Sequence, residues 1–334
     1  MSQGISRRQS DGSDTNKQRS CVLVTGAGGA LARQVIKRLW PSCDVIAADF
    51  RRRGFVHPQI PCYHVEYGKR AFENIFINHK IDAIIHLGRM GLYEFDHRRR
   101  YNANVLGTQK LLELAKKYNV KQVIVLSTYF VYGASPYNPA LLNEDHPLKA
   151  SELTMDLVDS VELENLANIY LWKYPDLHVT ILRPCNIVGP GVLNSISLLL
   201  ASKRAPVIMG FSPLMQFIHV DDMADAIATA LIKNKPGIYN VAPADWVPYT
   251  TALRACGCAS LPLPSMPRSL TKSLVKRLNL KAFPSYLLNY YQFPVTLDGS
   301  LFQQTFQFEP KQSSPEIFDY YRNLKIGNPS YPAA

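Results

Sequence analysis

A run of glycines between an apolar segment and a helical pattern is the strongest chemical signal in this chain of 334 residues. Residues 22–32 read VLVTGAGGALA, and Gly26, Gly28 and Gly29 stand where the apolar segment ends. Glycine permits a tight turn there, and the free N–H groups at the start of the following helix attract a phosphate. The segment therefore predicts a pyrophosphate-binding turn, with the small Ala32 where a third glycine would let helix and strand pack closely.

An acidic residue at the end of the next apolar segment completes this pattern. Asp49 follows Gly28 by 21 residues, the spacing at which a carboxylate takes the ribose hydroxyls of a dinucleotide. This carboxylate favours NAD, because it repels the 2′-phosphate of NADP. Arg51, Arg52 and Arg53 follow directly. If one of these guanidinium groups turns toward the ribose, it binds a 2′-phosphate, so NADP is the alternative cofactor. The other interpretation of the three arginines is a solvated basic loop.

The elements that must position these residues alternate along the first half of the chain. Short apolar runs, typical of strands buried on both faces, alternate with helical patterns, which predicts a parallel sheet. The predicted strands are 22–25, 45–48, 83–87, 123–126 and 179–182. The fold class is therefore α/β, a Rossmann-type doubly wound parallel sheet with a smaller C-terminal substrate lobe.

The change of pattern after residue 188 suggests how the chain divides. We expect a disordered tail at 1–20, an NAD(P)-binding Rossmann domain at 21–188 and a mainly substrate-binding lobe at 189–334. Within that lobe, 217–242 is expected to return to the Rossmann domain, because helical periodicity reappears there.

The composition excludes several classes of protein. With 47% hydrophobic and 19% charged residues, the chain is typical of globular proteins and unlike disordered or collagen-like ones. No apolar run reaches the roughly 18 residues of a transmembrane helix. The six cysteines form no CxxC pair and show no zinc-site spacing, so we expect no metal and a cytoplasmic location.

The net charge of +11 favours anionic partners. Residues 246–297 are 52 positions without one Asp or Glu, yet they hold six basic side chains. Pro267 begins a predicted helix there, with Leu270, Leu274 and Leu278 on its apolar face. This segment predicts an anionic small-molecule substrate or peripheral contact with an anionic membrane, and a solvated basic face is the alternative. The lack of a nucleic-acid-binding motif argues against nucleic acid.

Six motifs occur in order along the chain and indicate a family. They are TGAGGALA from Thr25, AIIHLG from Ala83, NANVLGTQKLLELA from Asn102, VIVLSTYFVYG ending at Gly133, ILRPCNIVGPG from Ile181 and FIHVDDMADAI from Phe217. Together they resemble the extended short-chain dehydrogenase/reductase family, in particular its NAD-dependent epimerase/dehydratase group. The resemblance extends from residue 22 to about 310 and implies the fold described above and a bound dinucleotide.

The resemblance also implies a set of ligand contacts. The implied cofactor contacts are Gly26, Gly28, Gly29, Ala30, Leu31, Asp49, Phe50, Arg51, Glu66, Leu87, Gly88, Arg89, Asn104 and Pro184. Asn186 is the implied substrate contact. Members of the family pair through the helices that here contain Asn104 and Val161, so the resemblance also implies a homodimer.

The catalytic residues of this family are incomplete in the chain. Members use a Ser or Thr that binds the reacting oxygen, a Tyr that exchanges its proton, and a Lys four residues later that lowers the pKa of the Tyr. Thr128 matches the first of these. Counting back from Asn186 through Glu164, Asp156 takes the position of the Tyr and Ser160 that of the Lys. The standard mechanism is therefore in doubt.

Other residues are candidates for the missing groups. Tyr129, Tyr132 and Asp156 are alternatives for the proton donor, and Arg89 is one for the positive charge. Of the 18 tyrosines, only Tyr321 precedes a lysine by four residues, and we interpret that pair as a coincidence on the surface.

Four further polar residues are interpreted as structural. His86 and His219 end apolar runs, where a hydrogen-bonded core histidine is the expected role. Asp221 and Asp222 are predicted to cap the helix that begins near Met223.

The substrate side departs from the family as well. Where nucleotide-sugar epimerases resemble R-D-[FY]-I-H-V, with the Arg holding the substrate diphosphate, this chain reads MQFIHV from Met215. A second arginine often found before the position of Asp298 is also missing. Without these guanidinium groups, bidentate recognition of a diphosphate is lost.

Two functions follow from these observations. The first is an atypical NAD-dependent oxidoreductase or epimerase with a non-standard proton donor and an anionic sugar- or lipid-linked substrate. The alternative is a catalytically inactive dinucleotide-binding scaffold or redox sensor.

Overall fold

The computed structural model describes residues 19–51, 57–67, 69–91, 96–265 and 285–327. Most of the predicted tail, Arg52, Arg53 and the predicted basic helix that starts at Pro267 lie outside these residues. In the part that is described, no helix is long and apolar enough to cross a membrane.

The described residues contain strands and helices in alternation. The strands are β1 (Cys21–Thr25), β2 (Asp44–Asp49), β3 (Cys62–His64), β4 (Ala83–His86), β5 (Gln122–Leu126), β6 (His178–Pro184), β7 (Asn186–Val188), β8 (Arg204–Ile208), β9 (Leu214–Met215), β10 (Phe217–His219), β11 (Gly237–Val241), β12 (Val247–Pro248) and β13 (Ala259–Leu263). The α-helices are α1 (Ala30–Leu39), α2 (Arg70–Asn78), α3 (His97–Tyr101), α4 (Gly107–Lys117), α5 (Ala150–Leu153), α6 (Val158–Lys173), α7 (Ser195–Ala201), α8 (Val220–Lys233), α9 (Tyr249–Ala255), α10 (Ser300–Phe306) and α11 (Ser314–Ile326).

A seven-stranded parallel sheet forms the centre of the molecule, in the order β11–β6–β5–β4–β1–β2–β3. Side chains alternate between its faces, as the pleat of a strand requires. Val22 and Val24 point to the face that is covered by α1 and α8. Leu23 points to the opposite face, which is covered by α2, α4 and α6. Helices on both faces make the sheet doubly wound, which confirms the predicted fold class.

All five predicted strands are present, and two strands of the sheet were not predicted. The edge strand β3 has only three residues, of which two are exposed, so it carries no hydrophobic run. At the other edge, β11 pairs with β6 through Tyr239 opposite Leu182. It follows α8, which the periodicity from Met223 predicted, and its sequence GIYNV carries a Gly and an Asn. Because of these two residues, the sequence signal for a strand at β11 is weak.

Two short elements position the site. Between α3 and α4 the chain forms a π-helical turn, Asn102–Leu106, and such turns are frequent at functional sites. The segment after β5 is a 3₁₀ helix, Tyr129–Tyr132, capped by the hydroxyl of Thr128. Three two-stranded sheets, β7–β10, β8–β13 and β9–β12, follow the last predicted strand of the central sheet.

Candidate functional site

The glycine turn joins β1 to α1, and its geometry excludes a larger residue at Gly26. Gly26 has φ +70°, a left-handed conformation that favours glycine. A Cβ atom added there would lie 2.6 Å from the Cα of Gly88, at the end of β4. The turn closes through a 2.9 Å hydrogen bond in which the Gly29 N–H donates to the Gly26 carbonyl oxygen.

The first turn of α1 fits a phosphate group. Gly29 is its N-cap, no side chain caps the helix, and no acidic residue stands in its first turn. The N–H groups of Ala30 and Leu31 therefore belong to a helix end without a side-chain cap, where the positive end of the helix dipole lies. This helix end therefore offers backbone N–H donors for a pyrophosphate.

Asp49 lies at the end of β2, beside this turn. Its carboxylate accepts a 2.8 Å hydrogen bond from the Gly28 N–H and two 3.2 Å hydrogen bonds from the Arg51 guanidinium. Burial acts to raise the pKa of Asp49, but the hydrogen bonds from Arg51 and Gly28 outweigh it, so that the pKa lies below its ordinary value. Asp49 is thus ionised near neutral pH and partly neutralised by Arg51.

Two other predicted contacts surround this carboxylate. The half-buried Phe50 packs edge-on against Tyr67, with 6.4 Å between ring centroids, and the Arg51 guanidinium lies 5.9 Å from the Phe50 ring. Glu66 is exposed and forms a 3.6 Å ion pair with Lys69. Phe50 therefore belongs to the wall beside Asp49, whereas Glu66 faces solvent at its rim.

The buried Tyr67 is a residue of this site that the sequence did not reveal. Its hydroxyl accepts a 3.0 Å hydrogen bond from the Gly26 N–H. A Cβ atom on Gly88 would lie 1.9 Å from the same hydroxyl oxygen, so Gly88 must be a glycine for Tyr67 to reach the turn. A single tyrosine outside any periodic segment gives no sequence signal for this role.

His86 is a core histidine, as predicted. Its Nδ1 lies 2.7 Å from the Thr25 hydroxyl and its Nε2 lies 2.9 Å from the Thr108 hydroxyl. Burial, and then the charge of Arg89, lowers the pKa of His86 to about 3, so the ring is neutral. The Thr25 hydroxyl also accepts a hydrogen bond from the Gly88 N–H.

The predicted caps of α8 are wrong in one respect. The helix begins at Val220, and the buried His219 is its N-cap, with Nδ1 accepting a hydrogen bond from the Asp221 N–H at 3.3 Å. Asp221 and Asp222 lie in the first turn instead. Because a histidine is an uncommon N-cap, the aspartates were the stronger sequence signal.

A cavity of about 270 Å³ lies at the carboxyl ends of β5 and β6, the edge where α/β folds bind ligands. Six of the predicted site residues line it. They come from the cofactor, catalytic and substrate sets and are Arg89, Thr128, Tyr129, Ser160, Pro184 and Asn186. The sheet thus brings together residues that are separated by up to 97 positions in the sequence.

Asp156 is not among the residues that line this cavity. It lies in the 3₁₀ turn Met155–Leu157, one turn before Ser160. Its Oδ2 accepts a 3.0 Å hydrogen bond from the Thr154 hydroxyl, and its Oδ1 lies 3.7 Å from Nε2 of His97. The side chain at the position counted for the Tyr therefore faces another part of the surface.

Arg89 reaches the position counted for the Lys. Its Nη2 donates a 2.6 Å hydrogen bond to Oγ of Ser160. Burial lowers the pKa of Arg89, and the charges of Asp159 and Glu164 act in the opposite direction. An arginine stays protonated even with a lowered pKa, so the cavity wall carries a positive charge beside Ser160.

Asn104 connects the π-helical turn to the cavity. Its Nδ2 donates a 2.6 Å hydrogen bond to Asp159 Oδ2, and its Oδ1 accepts a 2.7 Å bond from the Met90 N–H. Asp159 is buried, lines the cavity, and pairs with Arg100 Nε at 3.3 Å. Its Oδ1 has no hydrogen-bond partner among the described residues. Asp159 and Arg100 are further site residues that sequence reasoning missed, because neither falls on a motif position.

Tyr129 and Asn186 are hydrogen-bonded to each other in the cavity wall. The Tyr129 hydroxyl donates a 2.9 Å bond to Asn186 Oδ1, and Asn186 Nδ2 donates a 3.0 Å bond to the Gln216 carbonyl oxygen. Burial, together with the neighbouring Tyr291 and Tyr290, raises the pKa of Tyr129 well above its ordinary value. Tyr129 is therefore a neutral phenol at any pH near neutrality.

Tyr132 and Tyr321 have structural roles. The Tyr132 hydroxyl donates to Asn240 Oδ1 at 2.8 Å and accepts a 2.7 Å bond from Arg183, whose guanidinium pairs with the buried Glu164. Tyr321 is buried, not on the surface as predicted. Its hydroxyl donates a 3.0 Å bond to Ser197 Oγ, so the correction comes from packing of α11 against α7.

The chain belongs to the family described as "NAD dependent epimerase/dehydratase family", which matches residues 22–242. This confirms the predicted family, and NAD, the predicted cofactor, is the one in the family's name. A protein of Mycobacterium tuberculosis without an assigned function is 25% identical over 331 residues, which cover 90% of this chain and 82% of the relative. The human dTDP-D-glucose 4,6-dehydratase is 27% identical over 247 residues, covering 66% of this chain and 68% of that protein.

Solved structures of the family share the fold. The UDP-glucose 4-epimerase of Thermus thermophilus, in complex with NAD, superposes with a TM-score of 0.74 at 19% identity, covering 92% of this chain and 99% of that one. The dTDP-glucose 4,6-dehydratase of Bacillus anthracis, also with NAD, gives 0.73 at 18% identity over 93% and 98% of the two chains.

Proposed function

We propose that this chain binds NAD across the glycine turn and the cavity, and that it is an atypical enzyme acting on a small anionic substrate. One observation supports this proposal most strongly. The Arg89 guanidinium donates to Ser160 Oγ at 2.6 Å, so a cation stands where the family's lysine is missing from the sequence.

Different described residues are proposed to bind different parts of the cofactor. The turn at Gly26 and the first turn of α1 would receive the pyrophosphate, and Asp49, which here is hydrogen-bonded to Arg51, would accept hydrogen bonds from the ribose hydroxyls. The site fits NAD because the cradle is formed by backbone N–H groups and by one ionised carboxylate. When bound there, NAD supplies a hydride acceptor at its nicotinamide ring.

At the other end of the cavity, hydroxyl groups and Arg89 replace the usual catalytic pair. Thr128 offers its hydroxyl to the reacting oxygen of the substrate, as its motif position implies. Ser160 accepts a hydrogen bond from Arg89, so its own O–H remains a donor toward the cavity. Arg89 supplies the positive charge that orients the nicotinamide ribose and offsets negative charge on the substrate oxygen.

Asp159 is the proposed proton acceptor. It is the one acidic side chain that lines the cavity in the described ranges, and its buried Oδ1 has no hydrogen-bond partner there. Tyr129 does not serve this role, because its raised pKa keeps the proton on the phenol and its hydroxyl already donates to Asn186. If an alcohol is oxidised there, its hydride would pass to the bound NAD and its proton to Asp159, which leaves a carbonyl group.

A non-catalytic scaffold or redox sensor is the second candidate function. It is favoured by the placement of Asp156, which is turned toward Thr154 and His97 and away from the cavity lining. In that case the site would bind NAD(H) without turnover.

A second subunit, NADP and an anionic membrane are proposed as further partners of the chain. The exposed side chains of Leu106, in the π-helical turn before α4, and of Ile169 and Trp172 on α6 support a homodimer through this surface. Large apolar side chains on a helix surface favour burial against a partner. The Arg51 guanidinium beside Asp49 supports binding of NADP as an alternative cofactor. Peripheral contact with an anionic membrane and a cytoplasmic location stay predictions from the sequence.

Two measurements test the proposed function. The full chain is titrated with NAD⁺, NADH, NADP⁺ and NADPH, with calorimetry for all four and nicotinamide fluorescence for the reduced forms. We expect saturable binding, with NAD(H) tighter than NADP(H); no binding of any of them would contradict the proposal. The protein is then incubated with either cofactor and fractionated extracts of sugars and acidic lipids. A change in absorbance at the NADH band that depends on a fraction supports the enzyme, whereas binding without turnover supports the scaffold.

A further inference from the structure

The cavity at the ends of β5 and β6 is polar at one end and apolar along the rest of its wall. We infer that it takes a ligand with a compact apolar body and a single anionic end, and not a nucleotide sugar. The inference deepens the proposed function. It rests on that function only where it calls the ligand the substrate.

The polar end holds one cation. Arg89 is the only Lys or Arg among the described residues that line the cavity. In the described ranges no carboxylate oxygen forms an ion pair with it within 4.0 Å, and its hydrogen bond goes to the neutral Ser160. The nearby Asp159 is already paired with Arg100, which limits its repulsion of an incoming anion. Within the described residues, one partly buried guanidinium matches one negatively charged group, not a diphosphate.

The position that holds a diphosphate in nucleotide-sugar epimerases is apolar here. Met215 stands at the position of the arginine, is only 6% exposed, and lines the cavity. Its neighbour Gln216 does not substitute for the guanidinium. The Gln216 amide donates to the Pro243 and Leu297 carbonyl oxygens at 2.8 and 3.0 Å and accepts from the Leu297 N–H at 2.7 Å.

Two polar side chains of this wall, Asn186 and Asn194, are hydrogen-bonded within the protein. Asn186 accepts a hydrogen bond from the Tyr129 hydroxyl and donates one to the Gln216 carbonyl oxygen. Asn194 accepts from the Ser197 N–H at 2.9 Å and donates to the Ile187 carbonyl oxygen at 2.7 Å. The Thr128 and Ser160 hydroxyls at the polar end offer two donors, so a sugar with several hydroxyl groups would lose more hydrogen bonds to water than these two restore, which costs affinity.

The apolar surface and the volume fit a small hydrophobic body. Leu193, Ile196, Leu287 and Tyr290 line the wall with Met215. The volume of about 270 Å³ lies just below the range of ligand cavities, roughly 300–1,000 Å³. A compact acyl or ring system is the body that such a wall stabilises by burial.

Three probes test this inference by calorimetry on the full chain, without cofactor and with saturating NAD⁺. Octanoate carries an apolar body and one negative charge, 1-octanol carries the same body without charge, and UDP-glucose carries a diphosphate. We expect octanoate to bind at least 10-fold more tightly than either of the other two. Equal or tighter binding of UDP-glucose, or no binding of octanoate, would overturn the inference.

Variants locate the binding site. Leu193 is 65% exposed at the cavity, so Leu193→Asp is compatible with folding and is expected to weaken octanoate binding at least 10-fold. Leu301→Asp is the matched control, because Leu301 is 44% exposed on α10 and does not line the cavity. Arg89→Gln is expected to abolish the preference for octanoate over octanol. An unchanged octanoate affinity in Leu193→Asp, or a preserved preference in Arg89→Gln, would contradict the assignment.

The proposed function can fail separately. If NAD⁺ gives no heat of binding while octanoate still binds with the expected preference, the dinucleotide assignment is wrong and the ligand class stands. If NAD⁺ binds and octanoate does not, the ligand class is wrong and the cofactor assignment stands.

Discussion

The two ends of the site differ in what builds them. The turn at Gly26 and Gly29 is made of backbone, and its requirements are a positive φ, a close approach to Gly88 and an uncapped helix. The end at Thr128 and Ser160 is made of side chains, and there the usual Tyr and Lys are absent from the positions counted for them. A site made of backbone tolerates few substitutions. A side-chain charge can be supplied from another element, as we propose for Arg89.

The largest effect is expected at the backbone end, in Gly26→Ala. Both Gly26 and Gly210 have positive φ, at +70° and +85°, so an alanine costs about 1–2 kcal/mol of strain at either. Only at Gly26 would the Cβ meet backbone, at 2.6 Å from Gly88 Cα. We expect Gly26→Ala to lower the free energy of unfolding by more than ~3 kcal/mol and NAD⁺ affinity about 100-fold.

Gly210→Ala is the matched control, since no atom of the described residues lies within 4 Å of its Cβ position. Gly210→Ala should lower the free energy of unfolding only by the backbone strain of about 1–2 kcal/mol. Its NAD⁺ affinity, measured by calorimetry, should be unchanged. Urea unfolding that gives the same loss for both variants would show that the approach to Gly88 has no energetic consequence.

A smaller effect is expected at Asp49, where charge decides between cofactors. Asp49→Asn removes the carboxylate that accepts the ribose hydroxyls, so NAD⁺ affinity should fall about 10-fold and NADP⁺ affinity should rise. Arg51→Ala should act in the opposite sense on NADP⁺. The control is Asp44→Asn on the same strand, whose exposed side chain pairs with Arg19. If Asp49→Asn binds NAD⁺ as tightly as the wild type does, and also binds NADP⁺ as tightly as the wild type does, Asp49 does not have this role.

The pH dependence of NAD⁺ affinity follows from the pKa of Asp49, which is lowered in the folded protein. A lowered pKa means that the carboxylate stabilises the folded state above its unfolded pKa, and that this contribution is lost as pH falls through the folded pKa. Because NAD⁺ carries no 2′-phosphate that would titrate near pH 6, its affinity should be constant from neutral to mildly acidic pH. A loss of NAD⁺ affinity near pH 6 would show that another group decides it.

The smallest effect is expected for Tyr129→Phe. Because burial raises the pKa of Tyr129, the phenol stays protonated on both sides of neutrality and contributes no limb to a pH–rate profile. We expect the pH dependence of kcat to keep its shape, with a moderate rise in KM from the lost hydrogen bond to Asn186. Loss of an alkaline limb in the variant would identify Tyr129 as the proton donor after all.

The same contrast explains how far the sequence could be interpreted. The glycine turn, Asp49 and five buried strands were predictable, because backbone conformation and burial leave periodic or spaced signals. The pairing of Arg89 with Ser160 was not, since the residues lie 71 positions apart and no motif links them. Tyr67 under the turn and Asp159 beside Asn104 were missed for the same reason: each acts through a contact that only the folded sheet creates.

The most direct test of the account asks whether Arg89 replaces the missing lysine. NADH affinity is measured by nicotinamide fluorescence in wild type, Arg89→Gln and the double variant Arg89→Gln/Ser160→Lys, with Arg254→Gln as an exposed control. We expect Arg89→Gln to weaken NADH binding about 10-fold, the double variant to recover most of that loss and the control to match wild type. Wild-type affinity in Arg89→Gln, or no recovery in the double variant, would contradict the proposed replacement.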